Sequence, residues 1–236
     1  MNEHDFLSLH SAKALEYFLG ALYLVCFIPL WRFVNGPATA LESRAADTAR
    51  NLVDWFRVPE GFHLHPGHAW LKAEGPGSVA VGLDDFGHRL VGPISGVLTP
   101  AVGQALRKGE PAFSIVAEGQ RFDLLSPVDG VVAEVNGKAN FAPDALHADP
   151  YGAGWVMKVV PKKLSENLQD LLSGEAASRF LEAAAERLVP RMQPAMVLAQ
   201  DGGAPIHGIA RELDPEHWDE TVRGFFLTNE RRGGQQ

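Results

Sequence analysis

The chain has 236 residues, 46% of them hydrophobic and 21% charged, which is typical of a folded protein. Its net charge of −8 and the lack of a basic, aromatic-rich patch exclude general nucleic-acid binding, so we expect no nucleic-acid partner. The single cysteine, Cys26, excludes an internal disulfide and a cysteine metal cluster within one chain. The sequence has no HExxH, GxSxG or Gly-rich phosphate loop, and we expect no catalytic activity.

An apolar stretch, YFLGALYLVCFIPLWRFV, occupies residues 17–34, and its only charged residue is Arg32 near the end. Its length matches one bilayer-spanning helix, which we predict over residues 13–35 after a tail of residues 1–12. A cleaved signal peptide and a buried core helix are the alternatives, but no small-residue cleavage site follows. Basic residues concentrate after the span, which predicts a single-pass protein of the cytoplasmic (inner) membrane with its C-terminal domain in the cytoplasm.

The next segment, residues 36–57, has apolar residues at helical spacing. We predict a juxtamembrane amphipathic helix, which Pro59 terminates. This helix lies either on the membrane or a partner, or against its own domain. Acidic residues such as Glu42, Asp47 and Asp54 interrupt its basic positions, which argues against lipid binding.

Short apolar runs separated by Gly, Pro and Asp turns fill the region from Val58 to Pro161. Seven such runs predict seven strands in a small sandwich or barrel. Two helical patterns follow, in which Ser165 is a natural N-cap and Gly174 an interruption.

Four segments of this region have a recognisable order: HAWLKAEG at 68–75, VAVGLDDFGHRLVGPI at 79–94, SPVDGVVAEVN at 126–136 and ADPYGAGWVMKV at 148–159. Together they resemble the glycine cleavage system H protein family, and the Asp-Pro-Tyr-Gly-x-Gly-Trp segment is the most specific match. The resemblance implies an α+β fold for residues 58–189. This fold is a small β-rich barrel-sandwich hybrid of the lipoyl type with C-terminal helices, here preceded by one transmembrane helix.

The resemblance also implies where a lipoyl group would be attached. In the family, a lysine eight residues before the proline of the bend carries lipoate, and eight residues before Pro127 is Gly119. The neighbours Glu118 and Gln120 supply no lysine for a one-residue shift, and Lys108 and Lys138 lie in other turns. An arginine such as Arg121 cannot replace the lysine, because acylation needs a neutral amine. We therefore expect no cofactor.

Without a lipoyl arm, the hairpin tip is available for contact with a partner. Gln120, Arg121 and Phe122 are candidate docking residues there, although Phe122 could instead pack inward and Arg121 be a solvated edge residue. Residues 190–236 form a C-terminal extension with a short amphipathic helix. Its apolar side chains, Trp218, Phe225 and Phe226, either dock on another subunit or pack on the same domain.

Three histidines, His63, His65 and His68, lie within six residues of one another. Residues two apart point to the same side of an extended segment, which makes these histidines candidate metal ligands. No Asp, Glu or Cys in the cluster completes a ligand set, so we expect no metal.

Three functions are compatible with these features. We favour a non-catalytic, membrane-anchored adapter or structural subunit of a membrane protein complex. Its partners would be the other subunits and, through residues 17–34, the lipid bilayer. A respiratory or hydrogenase-type oxidoreductase is the complex that such anchored subunits suggest. A lipoyl carrier of glycine cleavage is the first alternative. The second is a periplasmic adaptor of an efflux pump, which would need a heptad hairpin that the sequence lacks.

Overall fold

A computed structural model describes residues 17, 23–28, 30–31, 56, 58–137, 144–188 and 208–229. The chain divides into two compact units, Met1–Asp47 and Thr48–Gln236. The described part of the second unit contains nine strands. They are β1 Phe62–Leu64, β2 Ala69–Gly75, β3 Ser78–Leu83, β4 Gly96–Leu98, β5 Ala105–Leu106, β6 Pro111–Ala117, β7 Gln120–Leu125, β8 Gly130–Val135 and β9 Trp155–Pro161.

The strands form two antiparallel sheets. The larger sheet has the order β1-β2-β3-β9-β8-β5, and the smaller has the order β4-β6-β7. The described residues of the second unit also form six helices. They are α1 Asp85–Val91, α2 Asp144–Ala148, α3 Leu164–Leu168, α4 Gly174–Leu188, α5 Ile209–Leu213 and α6 Trp218–Phe225.

Buried apolar side chains from both sheets and from the helices form one core. Strand β2 is buried at its first three residues and exposed beyond them, whereas β6 is buried over most of its length. Asp84 begins α1 by accepting a hydrogen bond from the Gly87 amide through its carboxylate, 2.7 Å away. The domain is therefore a β-rich α+β fold with C-terminal helices.

The Asp-Pro-Tyr-Gly-x-Gly-Trp segment forms the turn before β9. The Trp70 indole N–H is shared between the carbonyls of Leu83, at 2.9 Å, and Pro150, at 3.1 Å, which joins β2 to this turn. Asp149 accepts hydrogen bonds from the Gly152 and Ala153 amides through its carboxylate. The turn thus holds the entry to β9, a central strand of the larger sheet.

The expected strands are all present, but the number seven was too low. The two additional strands, β1 and β5, contain three and two residues. The expected N-cap at Ser165 is wrong, because α3 begins at Leu164 with Lys163 as its N-cap and no side-chain capping bond. The juxtamembrane segment of residues 36–57 lies outside the described residues except for Phe56, which is buried against the Phe86 ring.

In the first unit, the described residues of the apolar stretch are helical and exposed. The rings of Tyr23 and Phe27 stack at 5.4 Å. No helix within the described part of the chain is both long enough and apolar enough to cross a membrane. Much of the predicted span, including residues 18–22 and 32–35, lies outside the described residues.

Candidate functional site

The candidate site is the hairpin of β6 and β7, whose register pairs Ala117 with Gln120. This register leaves a two-residue turn, Glu118-Gly119, which we call the apex. Both apex residues have positive φ, +50° for Glu118 and +76° for Gly119, as in a type I′ turn. Glycine adopts such a φ without steric cost, so the apex is built for a tight reversal of the chain.

The apex has room for a longer side chain. A Cβ placed on Gly119 would meet no atom within 4 Å, and the residue is exposed. A non-glycine residue there has only the cost of the left-handed backbone, roughly 1–2 kcal/mol. Position 119 therefore has space for a longer side chain, but the apex itself contains no amine.

The base of the hairpin is fixed by the bend from Ser126 to Gly130. The Asn167 side chain accepts a hydrogen bond from the Asp129 amide at 2.7 Å and donates one to the Asp129 carboxylate at 3.2 Å. The Lys108 amide donates to the same carboxylate at 3.0 Å. Helix α3, which carries Asn167, thereby holds the bend against the turn before β6.

These bonds also set the charge at the base. The hydrogen bond from the Lys108 backbone lowers the pKa of Asp129, and the Asn167 amide and nearby lysines add to the effect against the desolvation of the carboxylate. The carboxylate therefore remains ionised at neutral pH and keeps its acceptor role.

The described lysines lie away from the apex, and several have partners of their own. The Lys108 ammonium group bonds the Asn167 carbonyl at 2.9 Å and the Asp170 carboxylate at 2.8 Å. The Lys158 ammonium group lies between Glu74 and Glu134, which raise its pKa by hydrogen bonding. Lys138 lies outside the described residues.

Of the C-terminal extension, the structure describes residues 208–229, and these residues, called the extension from here on, pack on one face of this hairpin. The Phe122 ring is fully buried and lies 5.2 Å from the Trp218 ring and 6.4 Å from the Phe226 ring, measured between centroids. The Arg223 guanidinium lies over the same Phe122 ring at 5.1 Å. The face of β7 is thus covered by aromatic side chains of α6 and of the residue that follows it.

The extension also reaches the apex and helix α1. An ion pair of 2.9 Å joins Arg211 on α5 to Glu118 in the turn. The Gly208 amide donates to the Arg89 carbonyl of α1 at 2.8 Å. The extension therefore contacts the hairpin apex and helix α1 as well as β7.

These positions decide between the two alternatives for the candidate docking residues. Phe122, Trp218, Phe225 and Phe226 are buried within the chain, so they pack on their own domain and are not exposed contacts for a partner in this structure. Gln120 is half-buried, and Arg121 is exposed and paired with Asp123 at 3.0 Å. Of the six candidates, Arg121 is the one with an exposed side chain.

The three histidines are not brought together into a site. The ring nitrogen Nδ1 of His65 accepts a hydrogen bond from the Gly67 amide at 3.0 Å, and burial lowers its pKa to about 4. The Nδ1 atom of His68 lies 2.8 Å from the buried carboxylate of Asp84. Across the described residues, no group of three His, Cys, Asp or Glu residues could hold a metal ion.

Comparison with known proteins identifies the domain. The family model described as "Glycine cleavage H-protein" matches residues 63–184. The chain belongs to this family. A probable glycine cleavage system H protein of Pyrococcus abyssi is 33% identical over 128 residues, which are 54% of this chain and 95% of the relative. A glycine cleavage system H protein of Coprothermobacter proteolyticus is 36% identical over 125 residues, or 53% of this chain and 98% of the relative.

Among solved structures, an H protein from Mycobacterium marinum is similar with a TM-score of 0.46 and 28% identity, covering 54% of this chain and 98% of that one. The H-protein domain of this chain contains the hairpin, its anchored base and helix α3. The extension lies beyond the family match.

Sequence reasoning found the hairpin and its apex, and it left open whether the C-terminal helix packs on its own domain or on another subunit. Arg211 pairs with Glu118, and Arg223 lies over the Phe122 ring. Nothing in the sequence spacing of these residues predicts the two contacts. The apolar pattern of α6 indicated a face that needs a cover, but it did not indicate which surface provides it.

Proposed function

We propose that this protein is a non-catalytic H-protein-family subunit that carries no lipoyl group and acts by binding other proteins. One observation carries the proposal: the hairpin apex is Glu118-Gly119, a tight turn without an amine. A ligase that attaches lipoate needs a lysine held out at such an apex. The described lysines lie elsewhere, and several are paired with acidic groups.

Attachment to the cytoplasmic membrane is a separate part of this proposal. It is supported by the apolar run of residues 17–34 and by the basic residues that follow it. The proposed partners are therefore subunits of a membrane complex, and a respiratory or hydrogenase-type oxidoreductase remains the proposed kind.

A lipoyl carrier of glycine cleavage is the second candidate function. It is supported by the relatives, which are named glycine cleavage system H proteins and match over nearly their whole length. Family membership favours this candidate over a membrane adapter, whereas the composition of the apex opposes it. The two candidates differ in one chemical fact, which is whether a lysine of the native chain carries a lipoyl group.

The experiment that separates them is intact-mass measurement of protein made together with lipoate-attaching enzymes. We expect an unmodified wild type. The informative variant is Gly119→Lys, since the apex has space for the side chain and its backbone cost is small. Lipoylation of Gly119→Lys alone would place the lost attachment point at residue 119, and Gly109→Lys, in the turn before β6, is the matched control.

A further inference from the structure

The extension covers a face of the hairpin but lies outside the segment that matches the family. The family match ends at residue 184, whereas the extension comprises the described residues 208–229. The Pyrococcus abyssi relative has 95% of its length within 128 matched residues, which leaves almost no sequence for a counterpart of the extension. This relative therefore has no counterpart of the extension that could cover this face of the hairpin.

The contact between the extension and the domain is mainly aromatic. Phe225 of α6 lies 5.3 Å from the Phe86 ring of α1 and 6.0 Å from the His68 ring. The Arg187 guanidinium of α4 lies 4.6 Å from the centroid of the Phe225 ring. Such a contact has the character of an amphipathic helix bound in a groove, in which a few aromatic side chains supply most of the stabilisation.

The polar contact at the apex has a different character. The side chains of Arg211 and Glu118 remain 53% and 45% exposed. Exposed ion pairs contribute little to stability, so this pair mainly fixes how α5 is placed over the turn. Its breakage releases α5 from the turn at small cost in free energy.

We propose that the extension is an intramolecular lid that closes the hairpin face to protein partners. The partner that fits this face is an amphipathic helix with the chemistry of the lid itself. It presents a bulky apolar stripe like that of Trp218, Val222 and Phe225, together with a basic residue that pairs with Glu118. This inference rests on the proposed binding function, and it specifies both the partner and how access is regulated.

Competition with a peptide tests the lid in the full chain. The probe is a fluorescent peptide with the sequence of residues 208–229, and its binding is measured by anisotropy. In the wild type, the tethered lid competes at an effective concentration on the order of millimolar, so binding is weak. Trp218→Ala removes the contact with Phe122, and we expect the peptide to bind this variant at least tenfold more tightly. Leu227→Ala, at an exposed position of the extension, is the matched control and should behave as wild type.

A charge exchange tests the apex contact separately. Arg211→Glu places two acidic groups together, and we expect roughly two- to fivefold tighter peptide binding than in the wild type. In the double variant Glu118→Arg, Arg211→Glu, the ion pair is restored with reversed charges, and binding of the wild-type peptide should fall again.

Two outcomes would contradict the proposal that the extension is a lid. One is equal peptide affinity for the wild type and a folded Trp218→Ala variant. The other is loss of cooperative unfolding in Trp218→Ala, which would make the extension an indispensable part of the core. The peptide-binding test of the lid does not depend on lipoate, whereas the intact-mass test of the proposed function does not depend on the lid. Failure of this inference is therefore distinguishable from failure of the proposed function.

Discussion

Gly154 lies where two backbone segments come too close for any side chain. A Cβ at this position would lie 2.7 Å from the Asp149 carbonyl oxygen and 2.8 Å from the Pro150 Cα. Because both neighbours are backbone atoms of the same turn, the strain cannot be relieved by a rotamer change. We expect Gly154→Ala to lower the free energy of unfolding by about 2 kcal/mol, measured by urea denaturation. Gly137→Ala is the control, since a Cβ there meets nothing within 4 Å; equal effects would contradict the account of this turn.

His65 makes the stability of the domain depend on pH. Burial lowers its pKa to about 4 from 6.5, so the unfolded chain binds the proton more readily between these values. Its contribution is complete above pH 6.5 and is lost as the pH falls toward 4, by about 3 kcal/mol. We expect His65→Gln to flatten this part of the stability profile. An unchanged slope in His65→Gln would show that other groups cause it.

At the scale of elements, helix α3 fixes the base of the hairpin through one side chain. Asn167 is buried and makes two hydrogen bonds to Asp129. Asn167→Ala leaves the Asp129 amide without its acceptor, and we expect a loss of about 1–3 kcal/mol in the free energy of unfolding. Faster hydrogen exchange in β8, which starts at this bend, should accompany the loss. Gln169→Ala, an exposed residue just after α3, is the control, and an equal loss there would exclude a specific role for the Asn167 bonds.

The elements that the sequence predicted are those whose signal is local. Strands such as β2 and β6 have seven residues with turn signals on both sides. Strands β1 and β5 were missed because they have three and two residues and exist through pairing with β2 and β8. The sequence did not decide what packs on Phe122 for the same reason. A helical pattern shows an apolar face, but the surface that this face packs on is set by contacts between distant segments.

At the scale of the whole molecule, the extension shares one hydrophobic core with the family domain. The side chains of Trp218, Val222, Phe225 and Phe226 are buried in the same core as the sheets. We expect a fragment of residues 56–189 to unfold cooperatively with a Tm roughly 10 °C below that of a fragment of residues 56–229, measured by calorimetry. Equal Tm values would mean that the extension contributes no net stability, and absence of a transition would mean that the domain needs it to fold.

The mass of the native protein tests the central claim most directly. The claim is that the hairpin apex, Glu118-Gly119, leaves this member of the H-protein family without a lipoyl group. The protein is isolated from cells that have active lipoate-attaching enzymes, and its intact mass is measured and mapped by peptide analysis. The account predicts the mass of the unmodified chain, with every lysine free of lipoate. A lipoyl group on any lysine would contradict it and would establish the carrier function instead.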